Sequence, residues 1–150
     1  MPPKPKKKNS KRRVVVDTNV LVAGISGFKG THVPGKYPSA DVLFNWADQD
    51  DFTWLVTEDI LDEYKEVLKR RNVRPALIGK IINLIRERAE EIKVRQSAQI
   101  SPDPYDNAFC VCAEQGKADS IVTLNMKDFP QDKLKARVSM PADFLALAQR

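Results

Sequence analysis

Apolar positions along the chain follow two rhythms. Short β-branched or aromatic runs at residues 13–16, 52–56 and 120–123 predict buried strands. Apolar residues three or four apart predict helices over 18–25, 39 to about 50 with Ser39 as cap, and up to about 71 behind a Thr57 cap. A long amphipathic helix is predicted over 74–93, where Leu77, Ile78, Ile81, Ile82, Ile85, Ala89 and Ile92 share one face. Two more helices are expected at 105–115, ended by Gly116, and at 141–150, with Pro141 in the first turn. Gly27, Gly30, Pro34 and Gly35 mark 26–38 as a loop, and 97–104 reads as another. A short helical turn is expected at Lys127 and Asp128, and an edge strand at Val138.

This alternation predicts an α/β fold with a short, mainly parallel sheet flanked by helices on both faces. In such sheets ligands bind at the carboxyl ends of the strands. The organisation expected is one domain over 13–150 behind a basic, disordered tail over 1–12.

Charge sharpens that picture. The 150 residues carry a formal net charge of +5. Much of the excess lies in Lys4, Lys6, Lys7, Lys8, Lys11, Arg12 and Arg13. Such a run is either a solvated tail or an arm that holds phosphate backbone without reading sequence. No apolar run reaches the roughly 18 residues of a membrane helix, and the N-terminus has no apolar core of a secretory signal. Cys110 and Cys112, two residues apart on one helix, point in different directions and cannot pair, and His32 is the single histidine, so neither a disulfide nor a zinc site is expected. These features imply a cytoplasmic protein. Both cysteines read as core thiols, His32 as an exposed loop residue, and Trp46 and Trp54 as packing for the core or a dimer seam that the long helix shares.

Three acids stand out by position. Asp17 ends a run of three valines, where a strand delivers it to the carboxyl edge of the sheet. It serves either chemistry there or the capping of the next helix. Glu63 flanks the stripe formed by Ile60, Leu61, Tyr64, Val67 and Leu68, either as a functional acid or as an ordinary surface glutamate. Asp106 stands within the stripe of Phe109, Cys110 and Ala113, in the first turn of its helix. A carboxylate there needs the N–H groups of that helix start or a cation. After the strand at 120–123, Asn125 and Asp128 can each offer an oxygen to the same edge. Like charges converge only around something that neutralises them, and oxygen-only ligands favour Mg²⁺ or Mn²⁺.

With these residues the chain resembles the PIN-domain family, and most closely its VapC-like toxin ribonuclease branch. The resemblance rests on Val14-Val15-Val16-Asp17-Thr18-Asn19-Val20-Leu21-Val22, Ile60-Leu61-Asp62-Glu63-Tyr64, Asp103-Pro104-Tyr105-Asp106-Asn107-Ala108-Phe109 and Ala118-Asp119-Ser120-Ile121-Val122-Thr123. It runs from about residue 13 to residue 145. It implies that Asp17, Glu63 and Asp106 are catalytic and hold the metal, with Asn19 and Thr123 in support. It implies an RNA substrate cut to leave a 5′-phosphate and a 3′-hydroxyl, a homodimer, and, for toxin members, an antitoxin protein as partner. Where the family often has a fourth acid, this chain has Asn125, and Asp128 is the nearby replacement. Lys29, Lys36 and Lys127 are the cations expected to hold flanking RNA phosphates.

Two other classes stand beside that one. A PIN-like nucleic-acid-binding module with weak or no catalysis would keep the fold and tolerate Asn125. A phosphotransfer protein also places an aspartate after a strand, but the second aspartate of the dehalogenase motif is Asn19 here. A dinucleotide enzyme is disfavoured, because no G-x-G-x-x-G follows the first strand.

Overall fold

A computed structural model describes residues 11–26, 32–95 and 98–148. In chain order its elements are β1 (Arg12–Val16), α1 (Thr18–Ser26), α2 (Pro38–Ala47), β2 (Phe52–Val56), α3 (Glu58–Arg70) and α4 (Pro75–Arg88). These are followed by β3 (Glu90–Glu91), α5 (Pro104–Gln115), β4 (Ser120–Val122), β5 (Arg137–Ser139) and α6 (Pro141–Ala148). Short 3₁₀ turns at Met126–Asp128 and Gln131–Lys133 join β4 to β5.

The five strands form one sheet in the order β3-β2-β1-β4-β5, and every pairing is parallel. The expected α/β architecture is therefore present, with a sheet that is wholly rather than mainly parallel. Val14, Val15 and Val16 are each fully buried although successive strand residues point to opposite faces. Both faces of the centre are thus covered. Helix α2 packs on α1 and on α6, and α3 packs on α1, α4 and α5. No helix among the described residues is long and apolar enough to cross a membrane.

The strand order decides where a site can open. From β1 the chain builds outward through β2 and β3, then returns to place β4 on the other flank of β1. The gap between the ends of β1 and β4 is thus the topological switch point, where parallel sheets open a crevice. Val16 pairs with Val122 at that end, so the next residues, Asp17 and Thr123, emerge side by side.

Some local expectations fail for identifiable reasons. The helix predicted over 74–93 stops at Arg88. Ala89 turns extended, Glu90 and Glu91 pair with Leu55 and Val56, and the Ile92 N–H donates to the Val56 carbonyl at 2.8 Å. Two exposed glutamates carry no strand alternation, so the helical stripe ran on through them. Ser39 does not cap α2. Pro38 occupies the first turn behind Tyr37, and its fixed φ starts the helix without a side-chain cap. Thr57 does cap α3, accepting from the Ile60 N–H at 3.1 Å.

His32 is not an exposed loop residue. Its side chain is 9% exposed, bonded to Asp41 at 2.8 Å and stacked on Phe44. Trp46 and Trp54 lie in the core, edge to face at 4.7 Å. Cys110 and Cys112 are free and buried, and burial pushes both thiols up to about 12.

The basic run also divides. Arg12 opens β1, its guanidinium 3.8 Å above the Phe144 ring. Arg13 grips Glu90 through both nitrogens at 2.9 and 3.0 Å, and Lys11 meets Asp50 at 2.8 Å. These three cations belong to the folded domain. Residues 1–10 lie outside the described part.

Candidate active site

Asp17 is built by the strand before it and the helix after it. Its N–H donates to the Val122 carbonyl at 2.9 Å, which locks it to the end of β4. One carboxylate oxygen accepts the Thr18 N–H at 2.8 Å, and the other accepts the Thr123 hydroxyl at 2.7 Å. A capping aspartate takes the second or third N–H of its helix, and Asp17 takes only the first. With the Asn19 bond counted as well, about one acceptor site of the carboxylate is left for a further ligand. The carboxyl is held above its ordinary range because burial penalises the charge, against the pull of the Thr123, Thr18 and Asn19 bonds. Thr123 is fully buried and also accepts the Asn125 N–H at 3.0 Å. Asn19 accepts the Leu124 N–H at 3.3 Å, so it braces the same strand exit.

Glu63 is brought to this edge by its neighbour. Tyr64 is buried on the core face of α3; its hydroxyl donates to the Val16 carbonyl and accepts the Trp54 indole N–H at 3.2 Å. That chain pins α3 against the last residue of β1. Glu63 is half-buried, and burial raises its pKa, with Arg70 opposing and Glu66, Asp17 and Asp103 adding to the rise.

Asp106 does not cap α5. Asp103 does, accepting the Tyr105 N–H at 2.8 Å and the Asp106 N–H at 3.2 Å. Asp106 is thereby released from the role that its position suggested. Its pKa is pushed up to about 7, by burial first and then by Asp128, Asp103, Asp17 and Glu63. Asn107 anchors the preceding loop by accepting the Ile100 and Ser101 N–H groups at 2.7 and 3.0 Å.

Asn125 and Asp128 are coupled. The Asn125 amide donates to the Asp128 carboxylate at 2.9 Å, and the Asp128 charge raises both Asp17 and Asp106. The residue that breaks the acidic pattern thus braces the nearby acid that faces the others. Glu63, Glu66, Arg70, Asp103, Tyr105, Asp106 and Asp128 line one open cavity of about 280 Å³. Asp17 is felt there electrostatically but does not line it.

The expected cations are elsewhere. Lys36 and Lys127 are exposed and do not line the cavity, and Lys36 reaches the Tyr37 ring instead. Lys29 lies outside the described residues. The cation at the cavity is Arg70, which the sequence pattern did not single out. It stands seven residues after Glu63 on one helix, almost two full turns, so the same face presents both. Asp103 was legible as well: an aspartate before a proline that opens a helix is a capping signal.

The donor set fits a hard divalent cation in kind. It contains oxygens only, and the carboxylates repel one another unless neutralised. The buried Thr18 hydroxyl, next to Asp17 in the chain, has no partner among the described residues. In spacing the set is loose. Among the described residues no three histidine, cysteine, aspartate or glutamate side chains form a group that could hold a metal by themselves.

No curated protein matches the chain. The sequence profile of the PIN domain matches residues 13–127, a stretch that includes every acid around the cavity except Asp128. PIN domains are generally nucleases and typically depend on a divalent metal. With an all-parallel sheet, acids gathered at its switch point and a match over most of its length, the chain belongs to the PIN domain family.

Proposed function

We propose that this PIN domain is a ribonuclease that hydrolyses RNA phosphodiester bonds with Mg²⁺ or Mn²⁺, and that it serves as the toxin of a toxin–antitoxin pair of the VapC-like branch. The observation that carries the catalytic part is the convergence of carboxylates at the switch point, where burial first and then the charges of Asp128, Asp103, Asp17 and Glu63 raise the Asp106 pKa to about 7. A fold gains nothing from crowding like charges, so the crowding points to a cationic ligand.

Asp17, Glu63 and Asp106 would hold the ion, directly or through its waters, with Asp128 as the fourth acid. What the ion supplies when bound is an activated water and neutralisation of phosphate charge. Thr123 and the Thr18 N–H fix the Asp17 carboxylate, so its geometry is set before substrate arrives. Asn19 braces the exit of β4 beside Asp17, and Asn125 braces Asp128. Homodimerisation and an antitoxin partner go with this reading through family likeness.

A second reading is favoured by two observations, Asn125 in an acid position and the loose spacing of the acids. It makes the chain a nucleic-acid-binding PIN module without turnover. A cleavage assay on labelled RNA separates them. The nuclease cuts with Mn²⁺ or Mg²⁺, stops in EDTA, and loses at least about a hundredfold in rate with Asp17→Asn or Asp106→Asn, as expected for groups that act in the transition state. Binding without cleavage under Mn²⁺ selects the module, and cleavage that survives EDTA rejects the metal site.

A further inference from the structure

We propose that Tyr105 and Arg70 form a nucleotide shelf at the mouth of the acid cavity, where the Tyr105 ring stacks on an unpaired base and Arg70 holds an adjoining phosphate. Both are specificity-determining residues for an unpaired nucleotide at that site, and the inference rests on the ribonuclease reading.

Tyr105 is 63% exposed, whereas Tyr64 on the facing helix is fully buried. It stands in the first turn of α5 between the capping Asp103 and Asp106, so its backbone is rigidly set. The other residues that line the cavity, Glu63, Glu66, Arg70, Asp103, Asp106 and Asp128, are all charged. An aromatic ring held in water among charges has no apolar surface of its own fold to cover it there. A base face is the ligand that suits it, since every base stacks on an aromatic ring whatever its sequence. In a duplex those faces are already stacked on one another, so the ring selects strands with free bases.

Arg70 supplies the complementary half. It ends α3 and lies exposed on the same cavity. It closes no direct ion pair among the described residues, though its charge pulls the Glu63 pKa down. A guanidinium left unpaired beside five acids offers a phosphate the one attractive contact in that wall.

The test uses a short RNA carrying 2-aminopurine, single-stranded or annealed to its complement, with Ca²⁺ in place of Mg²⁺ so that binding is read separately from cutting. The full chain is expected to quench the probe in the single strand and to bind the duplex more weakly. Tyr105→Ala is expected to lose the quenching and about tenfold in affinity, while Tyr105→Trp keeps both. Arg70→Gln is expected to keep the quenching and bind with a shallower salt dependence, by about 0.7 in log–log slope. Quenching and affinity unchanged in Tyr105→Ala, or a duplex bound as tightly as the single strand, overturns the shelf. Cleavage under Mn²⁺ is scored apart. A chain that stacks as expected but never cuts keeps the shelf and loses the nuclease reading. One that cuts while Tyr105→Ala binds as the parent does loses the shelf alone.

Discussion

At the scale of single residues, the informative feature is the division of labour between Asp103 and Asp106. Both stand at the start of α5, and either could cap it. Asp103 takes the two N–H groups, and Asp106 is left half-buried among other acids. A carboxyl whose folded pKa is about 7, against an ordinary value near 4, binds its proton more tightly when folded. Its contribution to metal-free stability is present below pH of about 4 and is lost as pH rises through about 7. Asp106→Asn should therefore be more stable than the parent at neutral pH in EDTA, by on the order of 1 kcal/mol or less given the exposure of the group. The gap should close below pH of about 4. Thermal melts of the two proteins across that range check it, and a parent equal to the variant at pH 8 would mean that Asp106 is not under strain. Adding Mn²⁺ should reverse the order, because the cation takes the place of the proton.

At the scale of elements, the site depends on α3 being pinned to β1. The Trp54–Tyr64–Val16 chain of hydrogen bonds does this within the core. Tyr64→Phe leaves a buried indole N–H and a buried carbonyl short of a partner, which costs about 1–3 kcal/mol. It should also lower cleavage while leaving each acid in the chain, since Glu63 is the residue before it. Urea unfolding read beside the cleavage rate checks both effects, and a Tyr64→Phe protein with parent stability would show that the chain of bonds is dispensable. The acids Asp17, Glu63 and Asp106 were legible in the sequence because each interrupts or flanks an apolar pattern at a computable angle. Strands β1 and β2 were legible because their residues are β-branched or aromatic and buried on both faces. Strand β3 was not. Its two glutamates are exposed, and what makes them a strand is the edge of β2 beside them, which no local pattern reports. Tyr105 was not legible either, because an exposed residue carries no periodic signal, and Arg70 was legible only through its spacing from Glu63. Only the cavity shows that they share a wall.

At the scale of the whole molecule, the +5 charge sits awkwardly with a cavity full of acids. The folded part uses Lys11, Arg12 and Arg13 internally, so Lys4, Lys6, Lys7 and Lys8 are the members of the basic run left for a polyanion. Removing residues 1–10 should weaken RNA binding and lower the log–log salt slope by about 3, the value for four phosphate contacts on a single strand. The fold should be unaffected. An unchanged slope would assign those lysines to solvent.

Catalysis as proposed requires carboxylates from the end of β1, from α3 and from α5 to meet around one cation. The most direct measurement is anomalous scattering from a crystal soaked in Mn²⁺. The predicted result is a manganese peak at the end of β1, within ligand or water-bridged reach of Asp17 and Asp106, and absent in Asp17→Asn. Manganese bound only elsewhere, or those side chains turned away from any shared peak, would contradict it.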